Sequence, residues 1–544
     1  MKAEMRVAQI EPKTEHEPDV LISGFLISSS KYPHCPALEV GGETLTYEQL
    51  HDRAAALAAT FQYYDPGESE VIGVFAYRSR TAFQGVLGTL MSGHGYVPLN
   101  QTFPVERTRT MLARAGCTSL VVDESSEKQL NDLLQGISIP MIVVLPHRDS
   151  IRDLSIKWPQ HRFVGRAEMR PAHEWQMPRV AAKAIAYVLF TSGSTGVPKG
   201  VMVTRSNVRA FIDGAMKRYQ VRETDRISQY FDMTFDLSAF DMFMGWEAGA
   251  CVCCPSSKET ISPGMFINKA RLTIWFSVPS TATFMHRFGA LNPNQYPSLR
   301  WSLFCGEALP LETVERWLSA APNSIVENLY GPTELTIACS VYRFDCSRTP
   351  MECELGVVPI GEPLPGTKLL VVDEHLREVV PGATGELVGT GPQLSLGYLS
   401  DAEKTLASFV RVPQHTGIFY RTGDLVRRPN AGQPLRFLGR IDDQIKVHGF
   451  RVEPGEVEAV LREEAGVLFA VVVGWPRTRC GASGVVAFLE TAEVDLEVLD
   501  RRARARLPQY MVPREYRLVN VLPRNANGKV DRRALLKTLE EGGK

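Results

Sequence analysis

The chain contains the stretch Tyr187-Val-Leu-Phe-Thr-Ser-Gly-Ser-Thr-Gly-Val-Pro-Lys-Gly200. An apolar, strand-like segment runs into backbone rich in serine, threonine and glycine, and a lysine follows. Glycine lets the main chain approach phosphate oxygens, hydroxyl groups add hydrogen-bond donors, and the lysine adds a positive charge. The stretch is not a Walker A loop, because Pro198 precedes Lys199 and Gly200 follows it. We therefore predict a strand that leads into a polyphosphate-binding loop.

The bulk composition is typical of a globular protein with more than one domain. Its 544 residues exceed one ordinary hydrophobic core, and 44% of them are hydrophobic and 22% charged. The net charge of -1 creates no overall field that would attract nucleic acid or a membrane surface. Ten scattered cysteines favour reduced thiols, and no run approaches the ~20 apolar residues that span a bilayer. We expect a soluble, cytoplasmic protein that binds neither nucleic acid nor a membrane.

Short apolar runs alternate with helical patterns through the first three quarters of the chain. The runs 71–76, 120–123 and 141–145 are typical of buried strands, and 80–91 and 106–115 are typical of helices. This alternation predicts an α/β fold with layered, largely parallel sheets. From 361 to 399, short strands punctuated by glycine and proline predict a smaller β-rich subdomain.

A second boundary is predicted near Asp442. Beyond it the pattern predicts helices over 453–464 and 496–507 and strands over 468–473 and 484–489. We predict an N-terminal core over 1–441 and a small, mobile α+β domain over 442–544, a length sufficient for an independent module.

Ten segments in a fixed order carry a resemblance to a known family. They are Leu45-Thr-Tyr-Glu-Gln-Leu50, Gly95-Tyr-Val-Pro-Leu99, the loop 191–200, Phe235-Asp-Leu-Ser238, Asn328-Leu-Tyr-Gly-Pro-Thr-Glu334, Gly385-Glu-Leu387 with Gly397-Tyr-Leu399, Tyr420-Arg-Thr-Gly-Asp-Leu425, Gly439-Arg-Ile-Asp442, Leu507-Pro-Gln-Tyr-Met511 and Asn527-Gly-Lys-Val-Asp-Arg532. Over about residues 40–535 the chain resembles the adenylate-forming enzymes, specifically the adenylation domains that load carrier proteins. The resemblance implies that a carboxylate attacks the α-phosphorus of ATP with Mg²⁺, and that the acyl group then moves to a thiol.

The resemblance also implies roles for individual residues. The β- and γ-phosphates would be held by Thr191, Ser192, Gly193, Ser194, Thr195 and Lys199. Glu334 would be the Mg²⁺ ligand and Thr333 an α-phosphate contact, whereas from the residues alone this pair could simply cap a helix. The nucleotide would also contact Gly306, Glu307, Tyr330, Asp424 and Arg440, with Tyr330 on adenine and Asp424 on the ribose hydroxyls. Without the resemblance, Tyr330 could be a core residue and Asp424 part of a plain turn.

Two residues relate to the small domain. Lys529 would reach into the cleft and bridge the substrate carboxylate and the α-phosphate, although a lysine in an exposed turn is more often simply solvated. Asp442 matches the hinge about which the small domain swings between the adenylate-forming and thiol-accepting poses.

Asp236 indicates the kind of acid that is activated. In the family this position pairs with the ammonium of an α-amino acid, since an unpaired buried charge would be costly. The alternative is that Asp236 caps the helix that begins near Ser238. The motifs place the remaining side-chain pocket at Leu237, Phe240, Ser277, Leu303, Cys305, Leu329, Ile337 and Ala338. None of these is charged, so we expect a small neutral amino acid, proline- or alanine-like.

Two resemblances within the predicted pocket point to different amino-acid substrates. Phe304-Cys305-Gly306-Glu307 resembles D-alanine:carrier-protein ligases, whereas Leu303 with Leu329 resembles stand-alone prolyl ligases. An acyl- or aryl-CoA synthetase and a non-catalytic homologue remain rival hypotheses. No carrier or condensation signature is found in the sequence, so we expect a free-standing enzyme that finds a separate phosphopantetheinylated carrier protein. Arg205 stands where most relatives have histidine.

Two further clusters favour structural roles. Cys251, Cys253 and Cys254 lie in an apolar strand pattern without partners at metal-ligand spacing, so core packing is the better interpretation. The arginines of 501–506 spread around a helix, which favours a solvated face, with docking to an acidic carrier protein as the second hypothesis.

Overall fold

A computed structural model describes residues 21–65, 69–193, 198–491, 493–524 and 530–541. Strands in these ranges form five sheets. The α-helices span Ser23–Lys31, Tyr47–Tyr64, Arg80–Met91, Val105–Ala115, Leu130–Gln135, Arg152–Lys157, Arg205–Tyr219, Leu237–Ala248, Ser257–Ile261, Pro263–Lys269, Pro279–Arg287, Leu311–Ala320, Thr349–Glu352, Ala402–Ser408, Pro454–Ala465, Leu496–Arg506 and Arg532–Glu541. Short 3₁₀ helices cover Ser126–Gln129, Arg166–Glu168, Ala172–Glu174 and Thr333–Leu335.

The first two sheets are mainly parallel. In spatial order the first sheet contains Arg162–Gly165, Ile142–Leu145, Ser119–Val122, Val71–Phe75, Gly95–Leu99, Ile185–Thr191 and Lys199–Thr204, and only the last strand is antiparallel to its neighbour. The second contains Glu362–Pro363, Ser340–Arg343, Ile325–Tyr330, Trp301–Phe304, Ile274–Ser277, Arg226–Ser228, Cys251–Cys253, Pro36–Val40 and Glu43–Thr46. Helices such as Arg80–Met91, buried along its whole length, separate and cover the layers. The predicted α/β fold with layered parallel sheets is confirmed.

The third sheet is antiparallel and corresponds to the predicted β-rich subdomain. Its strands are Lys368–Val372, Thr384–Thr390, Phe419–Arg427, Phe409–Val410 and Arg436–Arg440. The sheet extends about 40 residues beyond the predicted limit at 399, because strands far apart in sequence complete it.

The chain beyond Asp442 builds two small sheets of its own. One contains Phe450–Val452, Ile445–Val447, Gly481–Ala482 and Arg477–Thr478, and the other Ala470–Gly474, Val485–Glu490 and Glu515–Val519. In the described ranges no strand pairs across Asp442. The helices and strands predicted here agree with the structure to within two residues, but the hairpin 445–452 was not predicted.

The two clusters with structural interpretations are packed as expected. Cys251 and Cys253 are buried on an interior strand of the second sheet, and Cys254 is buried directly after it. The described residues contain no group of three or more His, Cys, Asp or Glu side chains that could hold a metal ion. Arg504 pairs with Asp500, and Arg506 with Glu463 and Glu464, on the surface of helix Leu496–Arg506. No helix in the described part of the chain has the length and apolarity to cross a membrane.

Candidate active site

A cleft of about 890 Å³ lies between the second sheet and the hairpin 445–452. Its floor is formed where parallel strands of the second sheet end, at Cys305 after one strand and Gly331 after the next. The carboxyl ends of parallel strands are the usual position of a ligand site in an α/β sheet. The hairpin contributes Lys446, Gly449 and Arg451 from the opposite side. Residues from both predicted domains therefore face one cavity.

The predicted polyphosphate loop connects two antiparallel strands at one end of the cleft. Strand Ile185–Thr191 enters the loop, strand Lys199–Thr204 leaves it, and Thr191 is paired with Lys199 across the ladder. Thr191 and Ser192 line the cleft. The Thr191 hydroxyl is buried and meets no hydrogen-bond acceptor in the described part of the chain, so a donor is available to an anion. Ser194 and Thr195 lie outside the described residues.

Glu334 is a buried carboxylate that forms ion pairs with Lys199 and Arg451. It is fully buried in the 3₁₀ helix Thr333–Leu335 and accepts a 2.7 Å hydrogen bond from the Tyr398 hydroxyl. Lys199 Nζ lies 3.6 Å and Arg451 Nη1 3.2 Å from its carboxylate oxygens. Burial opposes ionisation, but these cations outweigh it and lower the pKa of Glu334 to about 2. Glu334 follows Thr333, which lines the cleft, and an ionised carboxylate is an oxygen donor of the kind that Mg²⁺ prefers.

A chain of polar contacts fixes Asp424. The Tyr330 hydroxyl donates to one oxygen of Asp424, and Arg440 Nη1 donates to the other at 2.7 Å. Arg440 also holds the predicted hinge residue Asp442 with two bonds of 2.8 and 2.6 Å. Tyr330, Asp424, Arg440 and Asp442 all line the cleft. The structure brings these four residues together. Tyr330 and Arg440 fix the orientation of the Asp424 carboxylate, which suits recognition of a diol.

Gly306 and Glu307 also line the cleft. Gly306 has φ +90°, a left-handed conformation that follows the strand Trp301–Phe304. The Glu307 carboxylate accepts a 2.9 Å hydrogen bond from the Ser280 backbone N–H, and burial raises the pKa of Glu307.

Asp236 is buried at the start of helix Leu237–Ala248 but does not cap it. The side chain makes no capping bond, and its Oδ2 instead accepts a 3.1 Å hydrogen bond from the Ile337 backbone N–H. Burial raises the pKa of Asp236 to about 6, so the site favours a cation beside it. The capping alternative lacks the hydrogen bond on which it depends.

The predicted side-chain pocket divides into two groups. Asp236, Leu237, Cys305 and Leu329 line the cleft. Five other predicted residues are fully buried and do not line it, namely Phe240, Ser277, Leu303, Ile337 and Ala338. Phe240 packs against Phe276 and Tyr219 with ring centroids 4.9 and 5.7 Å apart. Aromatic packing therefore fills the space behind the cleft wall.

Several residues of the site were not predicted from the sequence. Arg451 reaches Glu334, Glu456 reaches Gly193, and Tyr398 supports Glu334. The sequence did contain a signal for the hairpin 445–452. Gly449 separates two short segments of β-forming residues, one with Lys446 at its centre and the other with Arg451. Lys529 lies outside the described residues. Arg205 is buried away from the cleft and donates to the backbone oxygens of Leu90 and His94.

Comparisons with known proteins match both parts of the chain. The family model described as AMP-binding enzyme matches residues 26–399, and the AMP-binding enzyme C-terminal domain matches 456–529. The chain belongs to the AMP-binding enzyme family. It is an AMP-forming ligase that acts through an acyl-adenylate and uses ATP, as the resemblance predicted.

Relatives of this AMP-binding enzyme include nonribosomal peptide synthetases. It is 31% identical to zwittermicin A synthase ZmaJ of Bacillus cereus over 91% of this chain and 90% of that protein. It is 33% identical to CymA of Salinispora arenicola, a probable non-canonical nonribosomal peptide synthetase, over 94% of this chain but only 6% of that protein's length. The crystal structure of the Vibrio cholerae adenylation domain AlmE in complex with glycyl-adenosine-5'-phosphate superposes with TM-score 0.87 and 31% identity, over 98% of this chain and all of that one.

Proposed function

We propose that this enzyme activates a small neutral amino acid with ATP and transfers the aminoacyl group to the phosphopantetheine thiol of a separate carrier protein. The observation that carries the proposal is the position of Asp236. This buried carboxylate shares one cleft with Thr333, Asp424 and the start of the polyphosphate loop, so an amino acid bound there would meet the nucleotide.

The charge of Asp236 supports an amino-acid substrate. The ammonium of an α-amino acid would pair with this carboxylate, and its charge would offset the burial that raises the pKa. A fatty or aryl acid would leave Asp236 without a cation, which costs several kcal/mol in a buried site. The acyl- and aryl-CoA synthetase alternatives are therefore disfavoured.

The shape of the cleft supports the smallest side chains. Leu237 and Cys305 form the wall next to Asp236, and the aromatic packing around Phe240 leaves no extension behind them. The uncharged pocket predicted a small neutral amino acid, proline- or alanine-like, and a closed wall also suits glycine, which is smaller than either. The glycyl-adenosine-5'-phosphate bound to AlmE adds support for glycine as the first substrate to test.

In the proposed first step, a carboxylate oxygen of the amino acid attacks the α-phosphorus of ATP and the bond to pyrophosphate breaks. Thr191, Ser192, Gly193, Ser194, Thr195 and Lys199 would hold the departing phosphates, and Lys529 would bridge the carboxylate and the α-phosphate. Thr333 would contact the α-phosphate. Mg²⁺, held by Glu334, would neutralise phosphate charge when bound.

The remaining cleft residues would hold the nucleoside. The Asp424 carboxylate, fixed by Arg440, would accept both ribose hydroxyls, and Tyr330, Gly306 and Glu307 would surround the adenine. We propose Asp442 as the hinge between an N-terminal core over 1–441 and a mobile domain over 442–544, since strand pairing stops there on both sides.

In the proposed second step, the carrier's thiolate sulfur attacks the carbonyl carbon of the aminoacyl-adenylate. The bond from that carbon to the phosphate oxygen breaks, AMP leaves, and the thiol proton passes to solvent. The carrier-protein partner rests on the resemblance to carrier-loading adenylation domains.

Amino-acid-dependent ATP–pyrophosphate exchange tests the proposal. We expect exchange with glycine to exceed that with either alanine enantiomer or proline, and no exchange with salicylate. Exchange with salicylate alone would reject Asp236 as an ammonium partner. If no amino acid supported exchange, the result would favour a non-catalytic homologue. Transfer to free coenzyme A in preference to a holo-carrier protein would identify the acceptor as coenzyme A.

A further inference from the structure

The turn that follows Glu334 has a backbone conformation that its residues ordinarily avoid. Thr336 has φ +54° and Ile337 has φ +70°, and both residues are β-branched. The left-handed region is unusual for any residue with a side chain and is least favourable for β-branched ones. In the described part of the chain, no other β-branched residue has a left-handed φ. Such a conformation persists only where the surrounding structure imposes it.

The side chain of Gln393 imposes this conformation. Its Nε2 donates to the backbone oxygens of three residues of the turn, at 3.3 Å to Leu335, 3.0 Å to Thr336 and 2.7 Å to Ala338. In return, the Thr336 hydroxyl donates a 2.6 Å hydrogen bond to the Gln393 backbone oxygen. Gln393 is 2% exposed and Thr336 is fully buried, so bulk water cannot take over these bonds.

Gln393 is itself held in place on both sides. The Asn207 side-chain nitrogen donates hydrogen bonds of 2.7 and 3.0 Å to the backbone oxygens of Pro392 and Leu394, the two chain neighbours of Gln393. Asn207 lies in helix Arg205–Tyr219, so the segment that carries Gln393 is fixed to this helix. An amide that is anchored in this way can hold a turn whose own conformation is unfavourable.

The strained turn orients the carboxylate of the proposed amino-acid site. The Ile337 backbone N–H donates a 3.1 Å hydrogen bond to Asp236 Oδ2. The peptide plane that carries this N–H is set by the dihedral angles of Thr336. A return of Thr336 to the right-handed region would therefore turn the donor away from Asp236.

We propose that Gln393 is a positioning residue for recognition of the amino acid. It holds Thr336 and Ile337 in the left-handed conformation, and this conformation presents the Ile337 N–H to Asp236. Gln393 does not line the cleft, so it acts through Asp236. The inference rests on the proposed function, because that function assigns Asp236 to the substrate ammonium.

Binding of two non-hydrolysable acyl-adenylate analogues to the full-length protein, measured by isothermal titration calorimetry, tests the inference. Glycyl-sulfamoyladenosine carries the ammonium and acetyl-sulfamoyladenosine lacks it, so the ratio of their dissociation constants reports the contribution of Asp236. We expect Gln393→Met to weaken binding of the glycyl analogue about tenfold, as loss of a hydrogen bond to a charged group does, and of the acetyl analogue less than about twofold. A variant that merely loosened the fold would weaken both analogues equally.

Gln84→Met is the matched control. Gln84 is 3% exposed, and its side-chain nitrogen meets no acceptor in the part of the chain that the structure describes. We expect both dissociation constants of Gln84→Met to equal those of the unmodified protein.

Thr336→Gly tests the role of backbone strain directly. Glycine enters the left-handed region without a steric penalty, so the turn should depend less on Gln393 in this background. There we expect Gln393→Met to weaken binding of the glycyl analogue by no more than about threefold. A loss as large as that in the unmodified background would overturn the inference.

Thr336→Val is a milder variant that removes only the hydroxyl that donates to Gln393, and it serves if Gln393→Met does not fold. We expect it to weaken binding of the glycyl analogue alone, by about two- to threefold. An unchanged ratio of the two dissociation constants in Gln393→Met and in Thr336→Val would overturn the inference and leave the proposed function intact. Equal affinities of the two analogues for the unmodified protein would reject both, because the ammonium would then gain nothing from Asp236.

Discussion

Asp236 lines the cleft and Glu334 pairs with the cleft residue Arg451, and the pKa values of these two buried carboxylates move in opposite directions. Burial raises the pKa of Asp236 to about 6, whereas Arg451 and Lys199 lower that of Glu334 to about 2. The difference lies in their neighbours, since Glu334 has two cations within 4 Å and Asp236 has a backbone amide. Glu334 is thus already compensated, and Asp236 is the group that gains most from a bound cation.

Replacing Asp236 with asparagine should impair use of the amino acid. Loss of a buried ion-pair partner costs about 3–5 kcal/mol, so we expect kcat/KM for the amino acid in pyrophosphate exchange to fall about 10²–10⁴-fold. Asp213→Asn removes an exposed carboxylate and serves as the control. Unchanged kcat/KM in Asp236→Asn would show that the ammonium binds elsewhere.

Lys199 should give the reaction an alkaline limit. Burial, with repulsion from Arg451, lowers the pKa of Lys199 to about 8, so its positive charge is present below that pH and lost above it. Because kcat/KM reports the free enzyme, we expect kcat/KM for ATP to decline as the pH rises above about 8. Lys199→Arg keeps its charge and should move the decline to higher pH. If kcat/KM for ATP declined at the same pH in both proteins, the decline would have to come from another titrating group.

Asp241 should limit stability at neutral pH. It is fully buried, and neither carboxyl oxygen meets a hydrogen-bond partner of regular geometry in the described residues. Burial raises its pKa well above the ordinary value, so folded-state stability is lost as pH rises above about 4, where the unfolded group ionises. We expect Asp241→Asn to raise the free energy of unfolding by about 1–3 kcal/mol at pH 7. In urea titrations, the difference in the free energy of unfolding between Asp241→Asn and the unmodified protein should become smaller towards pH 4. A lower free energy of unfolding for the variant at pH 7 would contradict the prediction.

At the scale of elements, the hairpin 445–452 acts as one arm of the cleft. Strand Ile445–Val447 carries Lys446 and strand Phe450–Val452 carries Arg451, and a glycine turn joins them. Gly449 in that turn has φ +84°, and a Cβ there would lie 2.6 Å from Val278 Cγ1 of the N-terminal core. Absence of a side chain at this position is what allows the hairpin to approach the core so closely.

Gly449→Ala should therefore weaken this pose of the hairpin. The left-handed backbone costs about 1–2 kcal/mol with a side chain, and the contact with Val278 adds to it. We expect thiol transfer from the preformed aminoacyl-adenylate, followed in a single turnover, to slow more than amino-acid-dependent ATP–pyrophosphate exchange. Gly417→Ala is a matched control, because Gly417 has φ +91° with open space around it. Equal slowing of both steps would indicate general damage to the fold.

On the scale of the whole molecule, the chain on either side of Asp442 has its own sheets and buried clusters. Two clusters of buried side chains lie entirely beyond this residue, one around Val472 and one around Phe488. The link between the domains is short and exposed, with Ile441 57% exposed. The two parts meet through hydrogen bonds that Ser192 and Gly193 donate to the Arg451 carbonyl and the Glu456 carboxylate, not through shared strands.

Limited digestion with a protease that cleaves before aspartate should test the predicted hinge. Asp442 and Asp443 are exposed and lie in a link without regular structure, where nicking concentrates. We expect early release of a C-terminal fragment of about 100 residues that stays folded by circular dichroism. First cleavage within either predicted domain would contradict a hinge at this position.

Local patterns accounted for much of the fold and for many candidate residues. The strand before the polyphosphate loop, the helix Arg80–Met91 and two helices and two strands beyond Asp442 could be predicted because hydrophobic periodicity is a local property. Residue types at Asp236 and Glu334 already indicated their chemistry. The third sheet was underestimated, since its last strands pair with residues distant in sequence.

What a local pattern cannot specify is which distant groups meet. Arg451 and Glu334 are separated by 117 positions, and only the placement of one domain on the other brings their charges together. The same holds for Phe240, whose identity suggested a pocket wall but whose packing against Phe276 and Tyr219 puts it behind that wall. The chain's own order of residues therefore determined the family and its chemistry and indicated the candidate carboxylates. Only packing decided the burial of Asp236 and the pairing of Glu334, because burial and long-range contact arise only when the elements assemble.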